Sequence, residues 1–515
     1  MMDKPLVLAI DLGTQSARAM IFDNEGELLC KVKLAYPPHI SLKRGWAEQL
    51  AETYFDTMAA ACKELPAELT KKIRAVSVTT FRDTMVNLGA DLKPLRPVII
   101  WLDERRAECK KPLPFLTRTV MKLIGMHEAV EVQRRVTKSN WIKENEPEIW
   151  QKTEKYVMIS GYINYRLTGV LVDSSASQIG HIPIDNKNDK WQTKSALLYP
   201  MFDIPPEKML PLVPPGQKLG AITAEAAALT GIPEGVPVIA CGSDKGCETL
   251  GTGCIDARSA SLSFGTSATI QFCTQKYVEP LQFMPCYPAL IPGKFNPEIQ
   301  IYRGFWMLNW FVNEFAAKEK AEAEALGIPP EELLNRKMAE IPPGSDGLLL
   351  QPYWAPSLKT PEGKGAVIGF SDAHTRIHLY RATLEGLGYA LIEGMKTMEK
   401  RARTRIETLT VSGGGAQSDI ICQLAADMFG LPVYRVQTYE TSGLGAAMTA
   451  FYGIGIYVDM YAAASAMVHR REPFLPDSAV HAVYKRIYEE VYLKLYPRVR
   501  PLYSTIRRHM KESIK

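Results

Sequence analysis

Short apolar runs separated by turn residues dominate the first hundred positions. Leu6 to Ile10 is a continuous apolar stretch of strand length, Asp11 to Ser16 is polar and contains glycine, and Arg18 to Phe22 is apolar again before Asn24-Glu25-Gly26. This order predicts a β-hairpin at the start of the chain. Ala75 to Val78, Met85 to Leu88 and Val98 to Trp101 read as further strands, and Ala51 to Lys63 reads as a helix. Farther on, Gly235 to Ala240 predicts a strand that leads into a small-residue helix start over Cys241 to Gly251, and Thr408 to Val411 a strand that leads into Ser412-Gly-Gly-Gly. The chain is therefore mixed α/β.

One pattern occurs twice. Gly13-Thr-Gln-Ser-Ala-Arg-Ala-Met-Ile-Phe22 and Gly265-Thr-Ser-Ala-Thr-Ile-Gln-Phe272 each carry a Gly-Thr turn and then a strand ending in Phe, with an apolar strand before the turn. The separation is close to half of the 515 residues, so it predicts two related α/β lobes with a boundary around 240 to 255. Chance likeness of two short turns is the alternative at this point.

Composition narrows the class. With 46% hydrophobic and 23% charged residues, disordered, collagen-like and coiled-coil chains are excluded. No apolar run approaches the ~18 residues of a membrane helix, and Leu6 to Ile10 is too short for a signal-peptide core. A soluble, cytoplasmic protein with no membrane partner is expected. Nine cysteines without a C-x-x-C pair point to buried free thiols rather than a disulfide framework or a zinc site. The formal charge of +5 is local: Lys485 to Lys515 holds nine Lys/Arg and three Glu, so the rest of the chain is close to neutral. Tyr484, Tyr488, Tyr492 and Tyr496 recur there with Ile487, Val491 and Leu495 beside them, which predicts one face of an amphipathic helix. Packing is the reading preferred over aromatic stacking on nucleic acid, and no nucleic-acid partner is expected.

Candidate chemistry begins at the first turn. Asp11-Leu-Gly-Thr-Gln-Ser-Ala-Arg18 combines a glycine turn with two hydroxyls, Thr14 and Ser16, and the guanidinium of Arg18, groups suited to a polyphosphate. Asp11 suits a hydrated Mg²⁺, which takes one or two carboxylates and keeps several waters. Neither usual nucleotide fingerprint is present: G-x-x-x-x-G-K-[ST] is missing, and Gly443-Leu-Gly445 lacks a third glycine. Ser412-Gly-Gly-Gly-Ala416 is another turn where backbone can approach a flat ligand, or a plain strand-to-helix turn. His374 and His378 lack the glutamate of H-E-x-x-H and read as ordinary histidines.

Asp11-Leu-Gly-Thr-Gln-Ser, Gly265-Thr-Ser, Arg381-Ala-Thr-Leu-Glu-Gly386, Ser412-Gly-Gly-Gly and Glu440-Thr-Ser-Gly-Leu-Gly-Ala-Ala447 stand in an order that resembles the FGGY carbohydrate kinases over nearly the whole chain. The resemblance implies a two-lobed, actin-like ATPase fold of the sugar kinase, Hsp70 and actin type, with ribonuclease H-like domains. It implies an N-terminal lobe over 1–245 for sugar and phosphate and a C-terminal lobe over 246–515 for nucleotide, with ATP and Mg²⁺ as cofactors. Arg381 to Gly386 is implied to be a structural helix.

The same resemblance implies the site residues. Asp244, in Gly242-Ser-Asp, is the general base that deprotonates the sugar hydroxyl. Arg82 and Asp83 match the Arg-Glu pair of glycerol kinases and the Met-His pair of xylulokinases, and Trp101-Leu-Asp103-Glu-Arg105 resembles the family's W-x-D-x-R; Arg82, Asp83, Trp101, Asp103 and Lys245 are the implied substrate side. Gly13, Thr14, Gln15, Ser16 and Arg18, with Gly265 and Thr266, are the implied phosphate contacts, and Asp11 the metal ligand. Gly304, Gly414, Gly415 and Asp419 are implied on the nucleotide side. Asp419 stands where glycerol kinases have asparagine, and the spacing from Gly304 to Trp310 is one residue longer than in the family. Lys245 replaces the glutamine of glycerol kinases, which leaves a polyol or an acidic substrate open. Lys138-Ser-Asn-Trp141 with Asn145-Glu-Pro147 is most similar to xylulokinases, and the segment from Trp310 to Gly344 is similar to kinases of a quorum-sensing autoinducer.

The reading is ATP-dependent phosphorylation of a sugar or polyol hydroxyl, a ketopentose such as xylulose ahead of glycerol, another polyol, an aldonate or the autoinducer. A non-catalytic nucleotide-binding protein on the same scaffold is the alternative of another class, and a homodimer is left open.

Overall fold

The computed structural model describes residues 4–354, 360 and 363–512. Contacts divide the chain into two compact units: Met1–Gly253, Tyr287–Phe295 and Thr441–Val468 form the first, and Cys254–Cys286, Asn296–Glu440 and His469–Lys515 the second.

The first unit is built on the predicted hairpin. Strands β1 (Leu6–Leu12) and β2 (Ser16–Asp23) pair antiparallel, and β3 (Leu28–Ala35) pairs antiparallel with β2. Helix α1 (Ala51–Lys63) then carries the chain to β4 (Ile73–Thr80), which pairs parallel with β1. A layer-crossing connection of this length is what a parallel pair needs. Helix α2 (Ile159–Thr168), β5 (Lys218–Ala221), β6 (Pro237–Ile239) and helix α3 (Asp244–Gly251) complete the part that positions the site. The sheet order is β5-β6-β4-β1-β2-β3. Every residue of β1 is buried, as expected of a central strand covered on both faces. One cover is α1, whose Tyr54, Phe55 and Met58 are buried. Another is the returning helix Thr441–Gly453, from which the Ala446 carbonyl accepts a 2.7 Å bond from Ser77 Oγ.

The second unit repeats this plan. Strands β7 (Ser259–Phe264) and β8 (Ala268–Phe272) form the second hairpin, β9 (Glu298–Ile301) pairs antiparallel with β8, and helix α4 (Arg376–Ala402) leads to β10 (Thr408–Ser412), parallel to β7. Helix α5 (Asp419–Phe429) follows, and β11 (Val433–Tyr434) closes the sheet in the order β9-β8-β7-β10-β11. Hairpin, third antiparallel strand, helix and parallel strand recur in the same order, so the likeness of the two Gly-Thr turns reflects a repeated fold and not chance.

Helix α4 holds the Arg381 to Gly386 motif. Arg381 is buried, pairs with Glu385 at 2.8 Å and donates to Tyr484 Oη at 2.8 Å; Glu385 also accepts from Ser345 Oγ at 2.9 Å. His378 belongs to the same helix as a cap: with Thr375 it closes a capping box, and its Nε2 lies 3.1 Å from Asp346. The last helical run bends the sequence expectation in one place. Tyr484, Tyr488 and Tyr492 are buried around Tyr389, with Tyr488 and Tyr492 inside a π-helical turn over Tyr488–Tyr492. A four-residue repeat is longer than the 3.6-residue turn of an α-helix, and the wider π turn keeps the rings on one face. The same turn rotates Val491 outward to 42% exposure, against the expectation that it packs. Seven of the nine cysteines are buried, whereas Cys30 and Cys109 are half-buried.

Candidate active site

Asp244 opens α3. Ser243 is the N-cap, its side chain accepting from Gly246 N–H, and Asp244 is the first helical residue. Two attachments fix this turn: the Gly242 carbonyl accepts from Thr79 Oγ at 2.9 Å, and Ser243 N–H donates to the Ala176 carbonyl at 3.2 Å. A carboxylate at a helix N-terminus is placed where the backbone dipole favours negative charge. Arg82 reaches it from the end of β4, with Nε 3.2 Å from Ser243 Oγ and 3.5 Å from Asp244 Oδ1, and its guanidinium lies 5.2 Å from the Tyr287 ring centroid. Lys245 points to Glu248, Nζ to Oε2 at 2.6 Å.

Asp83 turns another way. It adopts φ 51°, and its carboxylate accepts from the backbone N–H of His181 and pairs with that ring's Nδ1, each at 2.8 Å; the ring's Nε2 lies 2.9 Å from Gln133 Oε1. Burial pushes the Asp83 carboxyl up, but the His181 ring and Lys138 outweigh it and hold it below the usual carboxylate value. Lys138 is itself pushed down by burial. Asp103 is fully committed within the fold: Ala47 N–H donates to it at 2.6 Å, and Arg105 binds it through its backbone N–H, Nε and Nη2, each at 2.8 Å. Arg105 lies against the rings of Trp46 and Trp141, 3.9 and 4.6 Å from their centroids. With its side chain 0% exposed, Asp103 offers no surface to a sugar in this conformation; it anchors the segment. Trp101 stays at the hairpin, donating from Nε1 to Thr14 Oγ at 3.0 Å.

The first hairpin holds Asp11 and Arg18 as an ion pair at 2.6 Å across β1 and β2. Gly13 N–H donates to the Ser16 carbonyl at 3.0 Å, which tightens the turn around Thr14 and Gln15. A Cβ on Gly13 would meet the Ser16 carbonyl at an ordinary 3.5 Å, so the turn itself tolerates a side chain there. What glycine provides is a bare approach to the backbone. As the acid at this turn, Asp11 suits a hydrated Mg²⁺ of the kind that needs one carboxylate.

In the second unit, three segments meet. The Gly265 carbonyl accepts from Phe305 N–H at 3.1 Å and the Thr266 carbonyl from Trp306 N–H at 3.4 Å. Gly304 lies so close to β8 that a Cβ would stand 2.1 Å from Ala268 N. Gly413 has φ 81° and touches Phe264, and a Cβ on Gly415 would stand 2.4 Å from the Phe305 ring, whereas one on Gly414 would meet nothing within 4 Å. Gly265, Thr266, Gly304, Gly414 and Gly415 are thus brought to one place. Asp419 begins α5, its side chain 76% exposed and 2.6 Å from Arg435.

His181, Gln133, Tyr287 and Glu248 are site neighbours that the sequence patterns did not indicate. His181, Gln133 and Tyr287 come from separate segments that carry no motif of their own, whereas Glu248 lies on α3, four residues after Asp244. Gly443 and Gly445, by contrast, are accounted for by packing: they lie in helix Thr441–Gly453, and a Cβ on Gly445 would stand 2.0 Å from the Cys247 carbonyl of α3.

Known proteins match this arrangement along almost the whole chain. A xylulose kinase of Lactococcus lactis subsp. lactis is 28% identical over 94% of this chain and 95% of its own. A gluconokinase of Bacillus subtilis is 29% identical over 92% of each. The crystal structure of xylulose kinase from Rhodospirillum rubrum superposes with a TM-score of 0.79 at 26% identity, covering 97% of this chain and 100% of that one; the fold is the actin-like ATPase fold. The family profiles described as "FGGY family of carbohydrate kinases", N-terminal and C-terminal domain, match residues 6–251 and 260–454. With a glycine-bordered turn in each unit and an aspartate at the head of α3, the chain belongs to the FGGY family of carbohydrate kinases, enzymes that phosphorylate sugar hydroxyls with ATP.

Proposed function

We propose that this enzyme phosphorylates an uncharged ketose of the xylulose type, with Asp244 as general base. The observation that supports an uncharged substrate is charge matching: Arg82 stands beside Asp244 and Lys245 beside Glu248. An aldonate carboxylate would have to draw one of these cations from its partner, at a cost in both pairings.

In this reading Asp244 accepts the proton of the attacking hydroxyl, which needs a carboxylate within hydrogen-bond reach. Arg82, beside Asp244 and Tyr287, supplies a planar set of donors to sugar oxygens. Asp83 acts through His181, holding that ring in place. Mg²⁺ at Asp11, when bound, neutralises charge on the phosphates, a term on which phosphoryl transfer depends. Backbone N–H groups and hydroxyls of Gly13, Thr14, Gln15 and Ser16, with Arg18, serve the phosphates on the first unit; Gly265 and Thr266 do so on the second, where Gly414 leaves backbone open to the nucleotide while Gly304 and Gly415 let β8 and the Phe305 ring pack close beside it.

A coupled ADP-release assay over xylulose, other ketopentoses, pentitols, glycerol and gluconate tests the substrate. The ketopentoses are expected to give the highest kcat/KM; a tenfold preference for gluconate would transfer the reading to aldonates. Asp244→Asn is expected to lower kcat by about 10²–10⁴-fold, the usual contribution of a positioned acid or base. Parental turnover in that variant would remove Asp244 from the role.

A further inference from the structure

Asp173 is a carboxylate that no step above uses. It is 1% exposed, in the two-residue strand Asp173–Ser174. Four groups donate to it: Ser160 Oγ at 2.6 Å and Asn164 Nδ2 at 3.1 Å, both from α2, the backbone N–H of Ser174 at 2.8 Å, and Gln178 Nε2 at 2.7 Å. All four donors are uncharged. Burial pushes the carboxyl up to about 6, against the pull of these donors.

The bonds shape a turn. Gln178 Nε2 also donates to the Ser174 carbonyl at 3.0 Å, so one amide ties the carboxylate to both ends of the 3₁₀ turn Ser175–Ser177. Ala176, at the centre of that turn, accepts from Ser243 N–H at 3.2 Å, the N-cap of α3 and the residue before Asp244. Just beyond the turn, the Ile179 carbonyl accepts from Asp83 N–H at 3.0 Å, and His181 binds the Asp83 carboxylate. The segment 173–181 therefore touches the backbone next to Arg82, at Asp83, and next to Asp244, at Ser243. An ionised carboxylate can accept from all four donors; a protonated one turns one oxygen into a donor, which the amide and backbone N–H groups cannot accept and which the Ser160 hydroxyl accepts only by turning its own proton away from Asp173. Protonation therefore breaks the set of four.

We infer that Asp173 is a positioning residue for phosphoryl transfer: its ionised carboxylate holds the 174–178 turn in the shape that seats the N-cap of α3 and, with it, Asp244. The inference rests on Asp244 as the base.

The test is the acid limb of kcat between pH 5 and 8.5 in the full-length enzyme, with saturating sugar and ATP. Ser160→Ala and Gln178→Met each remove one donor from the carboxylate, so each should move the limb to higher pH by up to about one unit. Asp173→Asn should lose the component of the limb near pH 6 and lower kcat about tenfold or more at pH 8, while ADP affinity stays within twofold. A role limited to folding would lower the amplitude of all three and leave the limb where it is. An unmoved limb in both Ser160→Ala and Gln178→Met overturns the inference, whether or not Asp173→Asn folds. Asp244→Asn measured alongside keeps the two readings apart. Loss of turnover there with an unmoved limb in the donor variants overturns the role of Asp173 alone; parental turnover there overturns the base assignment.

Discussion

Arg82 and Asp83 are consecutive, and their side chains serve different partners: Arg82 goes to Ser243 and Asp244, Asp83 to His181. The left-handed φ of 51° at Asp83 makes this divergence possible. Because its partners hold the Asp83 carboxyl below its ordinary value of 3.8, its ionised form stabilises the fold above that value, and the contribution is lost as pH falls through the lowered one. Parent and Asp83→Asn should therefore differ most in urea midpoint at neutral pH, and the gap should close below about pH 3.8. A gap of equal size at pH 3 and pH 7 would mean that charge is not what Asp83 contributes. The motif itself was legible in the sequence as an arginine beside a carboxylate. The partner was not, because His181 lies ninety-eight positions away in a segment without a pattern. Asp103 shows the converse: its motif was legible, yet only the packing of Arg105 against Trp46 and Trp141 reveals that both carboxylate oxygens are consumed inside.

Elements meet here through missing side chains. Helix Thr441–Gly453 approaches α3 so closely that a Cβ on Gly445 would overlap the Cys247 carbonyl, and one on Gly251 would overlap the Thr441 carbonyl. Gly445→Ala should push the two helices apart, costing about 1–3 kcal/mol as other overpacked substitutions do, and should lower kcat because α3 carries Asp244. Gly414→Ala is the contrasting case. Its Cβ would meet nothing within 4 Å, so thermal stability should hold within about 0.5 kcal/mol while KM for ATP rises several-fold. A KM for ATP equal to that of the parent would remove Gly414 from the nucleotide side. In α4, Arg381→Met leaves Glu385 buried with its ion-pair partner gone, and a loss of about 3–5 kcal/mol is expected in chemical denaturation. Element types were legible where period and turn chemistry agreed: α1 and the Met85–Leu88 strand fall where the sequence places them. The strand read over Val98 to Trp101 ends at Ile99; beyond it the backbone N–H of Trp101 donates to the Thr84 hydroxyl and its indole to Thr14. The π turn was hidden because a repeat of four is also what an α-helical face approximates.

At the scale of the molecule, two sheets with the same strand sequence each own a separate core. Calorimetry should accordingly resolve more than one cooperative step, and Arg381→Met should shift the step of the second unit while leaving that of the first in place. A single step shifted as a whole would contradict it. The repeated hairpin made this doubling legible from two turns alone, because a Gly-Thr turn between apolar strands is a local signal. The returns of the chain were not legible: Tyr287–Phe295 and Thr441–Val468 join the first unit across long gaps in sequence, and long-range pairing leaves no periodic trace. Those returns have a consequence for synthesis. A ribosome delivers β1, β4 and α3 well before the helix that covers them, since Thr441 follows Gly253 only after most of the second unit has been made. At about 5–20 residues per second the wait lasts on the order of ten seconds or more. During that interval the nascent first unit leaves to water the apolar face against which Ala446 and Phe451 are later buried.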